Sequence, residues 1–444
     1  YYKNKTTGEI ISRVNDLFYI KNVISKIIIT LFLDIILSIV VLVILFSINT
    51  SMTIILLIIT IIYLLIFLAY RSSIKTTTNV IQEDNAKVNS LLVESISSYE
   101  TIKGLNIEAL FRKKINKAYL STISDNLFLN QLSNSEELIK ELLEGISLLF
   151  VVYIGTTSIM DKNLTIGSLI TYNTLIYYYL SPIKSFLDFY KELYYVKNSI
   201  KNINNILNYK YESLDKTSNL TLESNITIKN LDFSYTSKNN NLKNISLVIP
   251  SSSKVLILGS SGSGKSTLLK IMYKYYEVER DKLYIGKYDI NDYTLKDIRN
   301  NITYISQNEL LYTDTIKNNI ILDRQISYED FLEVCNLTYV SDIIKEKKIS
   351  YDYLLEESGA NLSGGQRQRI VLARALLKQS KIILIDEGLN EVDISLERKI
   401  LLNIFKKYQD KTIIIISHRL DNSDLYNLSI TLNEGTVKEV VSKK

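Results

Sequence analysis

Apolar and polar positions alternate in two regimes along the 444 residues, and the change falls near residue 220. Before it, long Ile/Leu runs crowd the chain. Four of them, about residues 27–48, 52–70, 141–160 and 165–185, approach the roughly 20 apolar residues a helix needs to cross a bilayer. Asn49-Thr50-Ser51 joins the first pair and the segment from Asp161 to Thr165 the second, both of hairpin length. Between the pairs, residues 71–140 are polar but helix-patterned, with a break expected near 97–106. Residues 1–16 read as an amphipathic helix, and residues 190–211 as the last span continuing into solvent.

After about residue 226 the pattern becomes short strands and helices separated by Gly-rich turns, an α/β layout. Residues 226–235 and 242–249 read as strands, 254–258 as a strand feeding a Gly-rich loop, and 309–378 as mostly helical. Asn433-Glu434-Gly435 reads as a hairpin turn. The expected division is therefore a membrane domain over 1–211, a linker over 212–223 and a soluble α/β domain over 224–444.

Composition adds limits. Nine of the fourteen glycines lie after residue 222, consistent with turns concentrated there. The net charge of +5 is explained by lysine-rich cytoplasmic segments, so no nucleic-acid partner is expected. The short connections carry a single lysine, Lys162, which places them outside and the long polar segment inside. A lone Cys335 excludes an internal disulfide, and one histidine with no CxxC or HExxH leaves no recognisable zinc site. The chain begins at Tyr1, and the natural polypeptide is expected to extend upstream.

Two phosphate-handling motifs carry the chemistry. Gly259-Ser260-Ser261-Gly262-Ser263-Gly264-Lys265-Ser266-Thr267 matches the G-x-x-x-x-G-K-[ST] loop, where backbone N–H groups wrap phosphates and a helix begins at their side. Lys265 should reach the β- and γ-phosphates and Ser266 should ligate Mg²⁺. Ile382-Ile383-Leu384-Ile385 reads as a buried parallel strand delivering Asp386 and Glu387 to the ligand-binding edge of the sheet. Glu387 is the candidate general base for an attacking water. Leu362-Ser363-Gly364-Gly365-Gln366 sits twenty residues ahead of Asp386, again a serine and glycines opening a helix.

Together these segments resemble the ATP-binding cassette (ABC) family, with a type I exporter membrane domain preceding a P-loop NTPase domain. The fold class expected is a multidomain membrane protein, an all-α helical membrane domain followed by that α/β domain. By that resemblance Asp386 is the Walker B aspartate, and Ser363, Gly364, Gly365 and Gln366 form the signature that meets nucleotide held by a second subunit. Tyr235 is implied to stack on adenine. Gln307 is implied to sense the γ-phosphate and Mg²⁺, and His418 to contact the γ-phosphate. Asp393 closes a loop that in most exporters reads Ala-Thr-Ser-Ala-Leu-Asp; here it is Gly388-Leu389-Asn390-Glu391-Val392-Asp393. Segments 7–13 and 100–104 resemble those flanking the family's coupling helices, which makes the four spans the third to sixth of six.

The resemblance implies ATP and Mg²⁺ as ligands, a second half-transporter as partner (a homodimer in preference to a heterodimer), and a multi-pass chain in the bacterial cytoplasmic membrane. Segment 166–175 with Ser181-Pro182-Ile183 looks most like bacteriocin and peptide exporters, which makes an amphipathic peptide the expected cargo. Those proteins often carry an N-terminal cysteine peptidase, which these residues do not show. A lipid or multidrug exporter is the alternative within transport. A soluble mechanical ATPase and a cassette that binds ATP without turnover are alternatives outside it. In the spans, Asp34, Glu141, Glu144 and Lys184 either line a hydrated path or snorkel and pair between helices.

Overall fold

The computed structural model describes residues 6–208, 212, 220, 222–235 and 241–443, with the side chains of 27–31, 186–188, 190 and 191 outside the description. Most of the expected linker, 212–223, therefore lies outside the described residues. The chain divides into units 1–210 and 211–444.

The first unit is helical: α1 (Thr7–Ile48), α2 (Thr50–Ser97), the short α3 (Tyr99–Gly104), α4 (Glu108–Met160) and α5 (Ile166–Leu207). Residues 1–5 of the expected start lie outside the described residues; from Thr7 the amphipathic start and the first span form one continuous helix, α1. A single residue, Asn49, divides it from α2, rather than the three expected. Asn49 does both jobs: its N–H donates to Leu45 O, closing α1, and its side chain accepts from Met52 N at 3.1 Å, opening α2. Thr165 opens α5 in the same way.

α1 packs against α2 and α5, and α2 against α4. At Gly8, a Cβ would lie 2.6 Å from the Ser90 backbone, so only glycine allows this approach of α1 to α2. The core of the unit includes Leu45, Met52, Leu56, Tyr63, Val151, Tyr172 and Leu180. Polar tips inside it are paired: Tyr172 with Thr53 at 3.0 Å, Tyr179 with Thr60 at 3.1 Å, and Tyr63 donating to Lys140 O at 3.0 Å.

Among the described residues, α2 and α4 contain stretches long and apolar enough to cross a membrane, and Phe32–Ile48 is a shorter apolar run. The expected fourth span, within α5, does not meet that measure, because tyrosines and hydroxyl residues dilute its apolar face. Tyr172 and Tyr179 are buried while Tyr177 and Tyr178 are exposed, so the run is packing on one side only. Lys184 and Glu144 form an ion pair between α5 and α4, Glu141 is exposed, and Asp34 is half-buried. For Glu144 and Lys184 the geometry is helix pairing.

The second unit is built on a six-stranded sheet. Its strands are β3 (Lys254–Gly259), β6 (Ile302–Ile305), β7 (Ile382–Asp386), β8 (Thr412–Ile416), β9 (Leu428–Asn433) and β10 (Thr436–Ser442), in the order β10-β9-β3-β8-β7-β6. All but the edge strand β10 run parallel. A smaller antiparallel sheet pairs β1 (Ile226–Phe233), β2 (Leu242–Ile249), β4 (Leu283–Ile285) and β5 (Tyr288–Asp289). β1 ends two residues short of the expected Tyr235.

Helices α6 (Lys265–Met272) and α7 (Leu295–Asn301) join these strands. The helical region contains α8 (Ile316–Ile321), α9 (Tyr328–Leu337), α10 (Val340–Lys347) and α11 (Gly364–Leu376), and α12 (Ile394–Lys407) follows β7. β7 and β8 are buried along their whole length, as strands sandwiched between helical layers must be.

Candidate functional site

The C-terminal ends of β3, β6, β7 and β8 deliver the predicted residues to one edge of the sheet, where open α/β folds bind ligands. β3 runs into the Gly259–Thr267 loop, β6 is followed by Gln307, β7 ends at Asp386 and Glu387, and β8 is followed by His418.

The loop has the backbone that phosphate binding requires. Gly259, Gly262 and Gly264 have φ of 147°, 80° and 98°, a region that residues with a Cβ rarely adopt. A Cβ on Gly259 would sit 2.3 Å from Leu432 O, and one on Gly264 2.6 Å from the Leu242 side chain. Lys265 is buried, and its ammonium donates to Gly259 O at 2.8 Å and Ser260 O at 2.9 Å, curling over its own loop. Burial pushes its pKa down, with Glu387 and Asp386 opposing the shift. Ser263 Oγ is buried without a hydrogen-bond partner, and Ser261 is exposed at the loop tip. An orphaned hydroxyl, a buried ammonium and open amides at the start of α6 fit a bound polyphosphate.

Ser266 Oγ donates to Asp386 Oδ1 at 2.9 Å. Burial raises the Asp386 pKa, opposed by hydrogen bonds from Ser266 and from Tyr304, whose hydroxyl lies 3.1 Å from Oδ2. A hydroxyl and a carboxylate meeting at the sheet edge form a hard oxygen donor set of the kind Mg²⁺ takes.

The Glu387 carboxylate is held by three side chains. Oε2 accepts from Gln307 Nε2 at 2.8 Å and from Asn390 Nδ2 at 3.0 Å, and Oε1 lies 2.7 Å from His418 Nε2. The backbone here is fixed in the left-handed region, φ 56°, a conformation costly for a non-glycine residue.

Tyr235 has its hydroxyl 3.1 Å from Thr267 Oγ1, with the ring edge-on to Phe233 and Tyr276 and partly exposed beside the loop. Asp393 stands exposed at the start of α12 and makes no capping hydrogen bond there.

The signature residues open α11. Ser363 Oγ accepts from Gln366 N at 3.4 Å while Gln366 Oε1 accepts from Ser363 N at 3.1 Å, a capping box that leaves Gly364 and Gly365 at the helix start. Glu391 covers them: a Cβ on Gly364 would meet its carboxylate, and one on Gly365 its carbonyl. Among the described residues no hydrogen bond or ion pair joins 363–366 to 259–267.

Three further residues belong to the site: Asn390, which the sequence marked only as a departure from the family's loop, and Tyr304 and Arg419, which it did not mark. Tyr304 and Asn390 touch the two acidic groups directly. Arg419, next to the lone histidine, donates to Val392 O at 2.6 Å, to Glu397 Oε2 at 3.0 Å and to Asn390 O.

The model of the ABC transporter transmembrane region matches residues 1–183, and that of the ABC transporter matches residues 242–390. The chain is 32% identical to the lactococcin-G-processing and transport ATP-binding protein LagD of Lactococcus lactis subsp. lactis, over 79% of this chain and 50% of that protein. It is 29% identical to the transport/processing ATP-binding protein ComA of Streptococcus pneumoniae serotype 4, over 99% of this chain and 62% of that one. It is 28% identical to the sublancin-168-processing and transport protein SunT of Bacillus subtilis, with the same coverage. The chain thus spans about half to three fifths of the length of these relatives. The structure of a bacterial Atm1-family ABC exporter with ATP bound superposes with a TM-score of 0.91 at 21% identity, over all of this chain and 78% of that one. The chain belongs to the ABC transporters, as an exporter-type membrane region followed by an ABC ATPase domain, and is similar to the bacteriocin processing and transport proteins.

Proposed function

We propose that this chain is one half of an ATP-driven exporter in the bacterial cytoplasmic membrane, paired with a second copy of itself and moving a bacteriocin-like peptide outward. The observation that carries the ATPase reading is the Glu387 carboxylate, aimed by Gln307, Asn390 and His418 beside Lys265, Ser266 and Asp386.

Each residue then has a task. The amides of 259–267 and the Lys265 ammonium hold the phosphates of ATP, and Tyr235 offers its exposed ring to the base. Ser266, Gln307 and Asp386 hold Mg²⁺, which supplies charge neutralisation at the phosphates. Glu387 takes a proton from the attacking water, and His418 holds the terminal phosphate. Ser363, Gly364, Gly365 and Gln366 engage nucleotide on the other subunit, with Asp393 at the same junction. With each phosphate motif completed by the other subunit's, bound ATP acts as a clamp between two chains, and its hydrolysis releases the clamp. The short α3 at the turn between α2 and α4 is the element proposed to convey that motion to the membrane helices.

The peptide cargo rests on the relatives, whose names record processing and transport of lactococcin G and sublancin. Two measurements test the proposal. Glu387→Gln should lower ATP turnover at least about a hundredfold while Mg·ATP binding persists; undiminished turnover in that variant overturns the assignment of the base. Inverted vesicles containing the chain should accumulate a leaderless bacteriocin-type peptide only with hydrolysable ATP. Uptake of lipid or drug analogues, with no peptide uptake, would move the chain to the other exporter classes.

A further inference from the structure

Of the three groups on the Glu387 carboxylate, two have other work under the proposed function: Gln307 reaches for the metal and His418 for the terminal phosphate. Asn390 has none. It lies in the stretch Gly388-Leu389-Asn390-Glu391-Val392-Asp393, where this chain departs from its family's usual sequence. We infer that Asn390 is a positioning residue for Glu387, holding one carboxylate oxygen so that the other stays aimed when Gln307 and His418 turn to nucleotide.

The chemistry of the contact is unambiguous. A carboxylate only accepts, so the atom 3.0 Å from Glu387 Oε2 must be the amide nitrogen of Asn390. Asn390 is itself held from behind, because its carbonyl accepts from Arg419. The Arg419 guanidinium also bonds Val392 O and the buried carboxylate of Glu397, tying the loop after β7 to α12. Gln307, by contrast, stands exposed on the loop after β6. Asn390 is therefore the donor anchored from behind, and Gln307 the exposed one. With Oε2 engaged, Oε1 is the oxygen left to receive the proton, and the carboxylate keeps its orientation without relying on the left-handed backbone at Glu387 alone.

The inference rests on the proposed role of Glu387, so the experiment carries both. Steady-state ATP hydrolysis is measured on the full chain for the native protein, Asn390→Asp, Asn390→Ala, Asn390→Ser and Glu387→Gln. Asn390→Asp keeps the shape and removes the donor; Asn390→Ser installs the hydroxyl donor that most exporters carry here. The Asp and Ala variants should lose about tenfold or more in kcat with KM for Mg·ATP within about twofold, and Ser should recover most of kcat. Native kcat in both Asp and Ala, a loss confined to KM, or equal loss in Ala and Ser would each overturn the inference. If Glu387→Gln hydrolyses ATP at the native rate, the base assignment fails first. If it is inactive while Asn390→Ala and Asn390→Asp are native, only the inference fails. Should Asn390→Ala not fold, the Asp and Ser pair decides alone.

Discussion

Two glycines of the same loop separate strain from collision. Gly259 and Gly262 both have positive φ, but only Gly259 has a backbone carbonyl, that of Leu432, 2.3 Å from where a Cβ would stand; Gly262 has nothing within 4 Å. A main-chain atom in a sheet cannot step aside as a flexible side chain can. Gly259→Ala should therefore cost well over the roughly 1–3 kcal/mol of backbone strain alone, and Gly262→Ala about that amount. Thermal unfolding of the two variants checks the order, and equal midpoints would show that β9 yields. Lys254 illustrates the same principle for charge. Burial pushes its pKa down to about 8, although it donates to Tyr408 O at 2.7 Å and to Lys411 O. Its folded pKa lies below the unfolded one, so the folded state binds fewer protons here. Its contribution to stability should rise between pH 8 and the ordinary lysine range of about 10.4. Lys254→Met should flatten that rise in a pH series of unfolding midpoints.

At the scale of elements, the capping box of α11 gives a test that separates structure from chemistry. Replacing Ser363 by Ala removes the acceptor for Gln366 N and should cost about 1 kcal/mol of stability. If Ser363 also meets nucleotide on the other subunit, ATP turnover should fall much further than that loss predicts. A fall only in proportion to stability would leave the residue as a cap. Elements of this kind were legible in the sequence because their signals are local: the serine-glycine run before α11 and the apolar β7 ahead of Asp386; Asn49 and Thr165 were read only as parts of the short connections, not as the helix starts they are. What stayed hidden depends on which faces meet. Glu136 and Lys140 have the spacing of an ordinary surface pair, in a segment whose composition is polar, yet they form a 2.9 Å ion pair with both side chains 3% exposed. Helical spacing puts Tyr172 and Tyr179 seven residues apart on one face of α5, away from Tyr177 and Tyr178, but it does not say which face is buried. Tyr304 and Arg419 were missed for a related reason, since each acts through a partner more than twenty residues away in sequence. The buried pair makes its own prediction. Lys140→Met strands the Glu136 carboxylate and should destabilise the helical unit by about 3–5 kcal/mol, whereas Glu136→Gln with Lys140→Met should restore much of it.

For the whole molecule, the decisive question is whether two chains complete each other's sites. Within one chain the loop at 259–267 and the signature at 363–366 share no hydrogen bond or ion pair among the described residues, and under the proposed function a nucleotide that touches both bridges two copies. The chain is suited to a direct test because Cys335 is its only cysteine, is buried, and has its thiol pushed up to about 12 by burial, which keeps it unreactive. Ser261 and Ser363 are both exposed, one in each motif. A chain carrying Ser261→Cys and Ser363→Cys together with Glu387→Gln, mildly oxidised in the membrane, should run at twice 51.1 kDa on a non-reducing gel when Mg·ATP is present. The single-cysteine versions should not show this species through a 261-to-363 bond, and ADP should not replace ATP. An intramolecular bond would leave the mass unchanged and show that one chain brings its own two motifs together. A doubled mass that forms equally without nucleotide would mean that the chains meet at this face for another reason, and ATP would lose its role as the clamp.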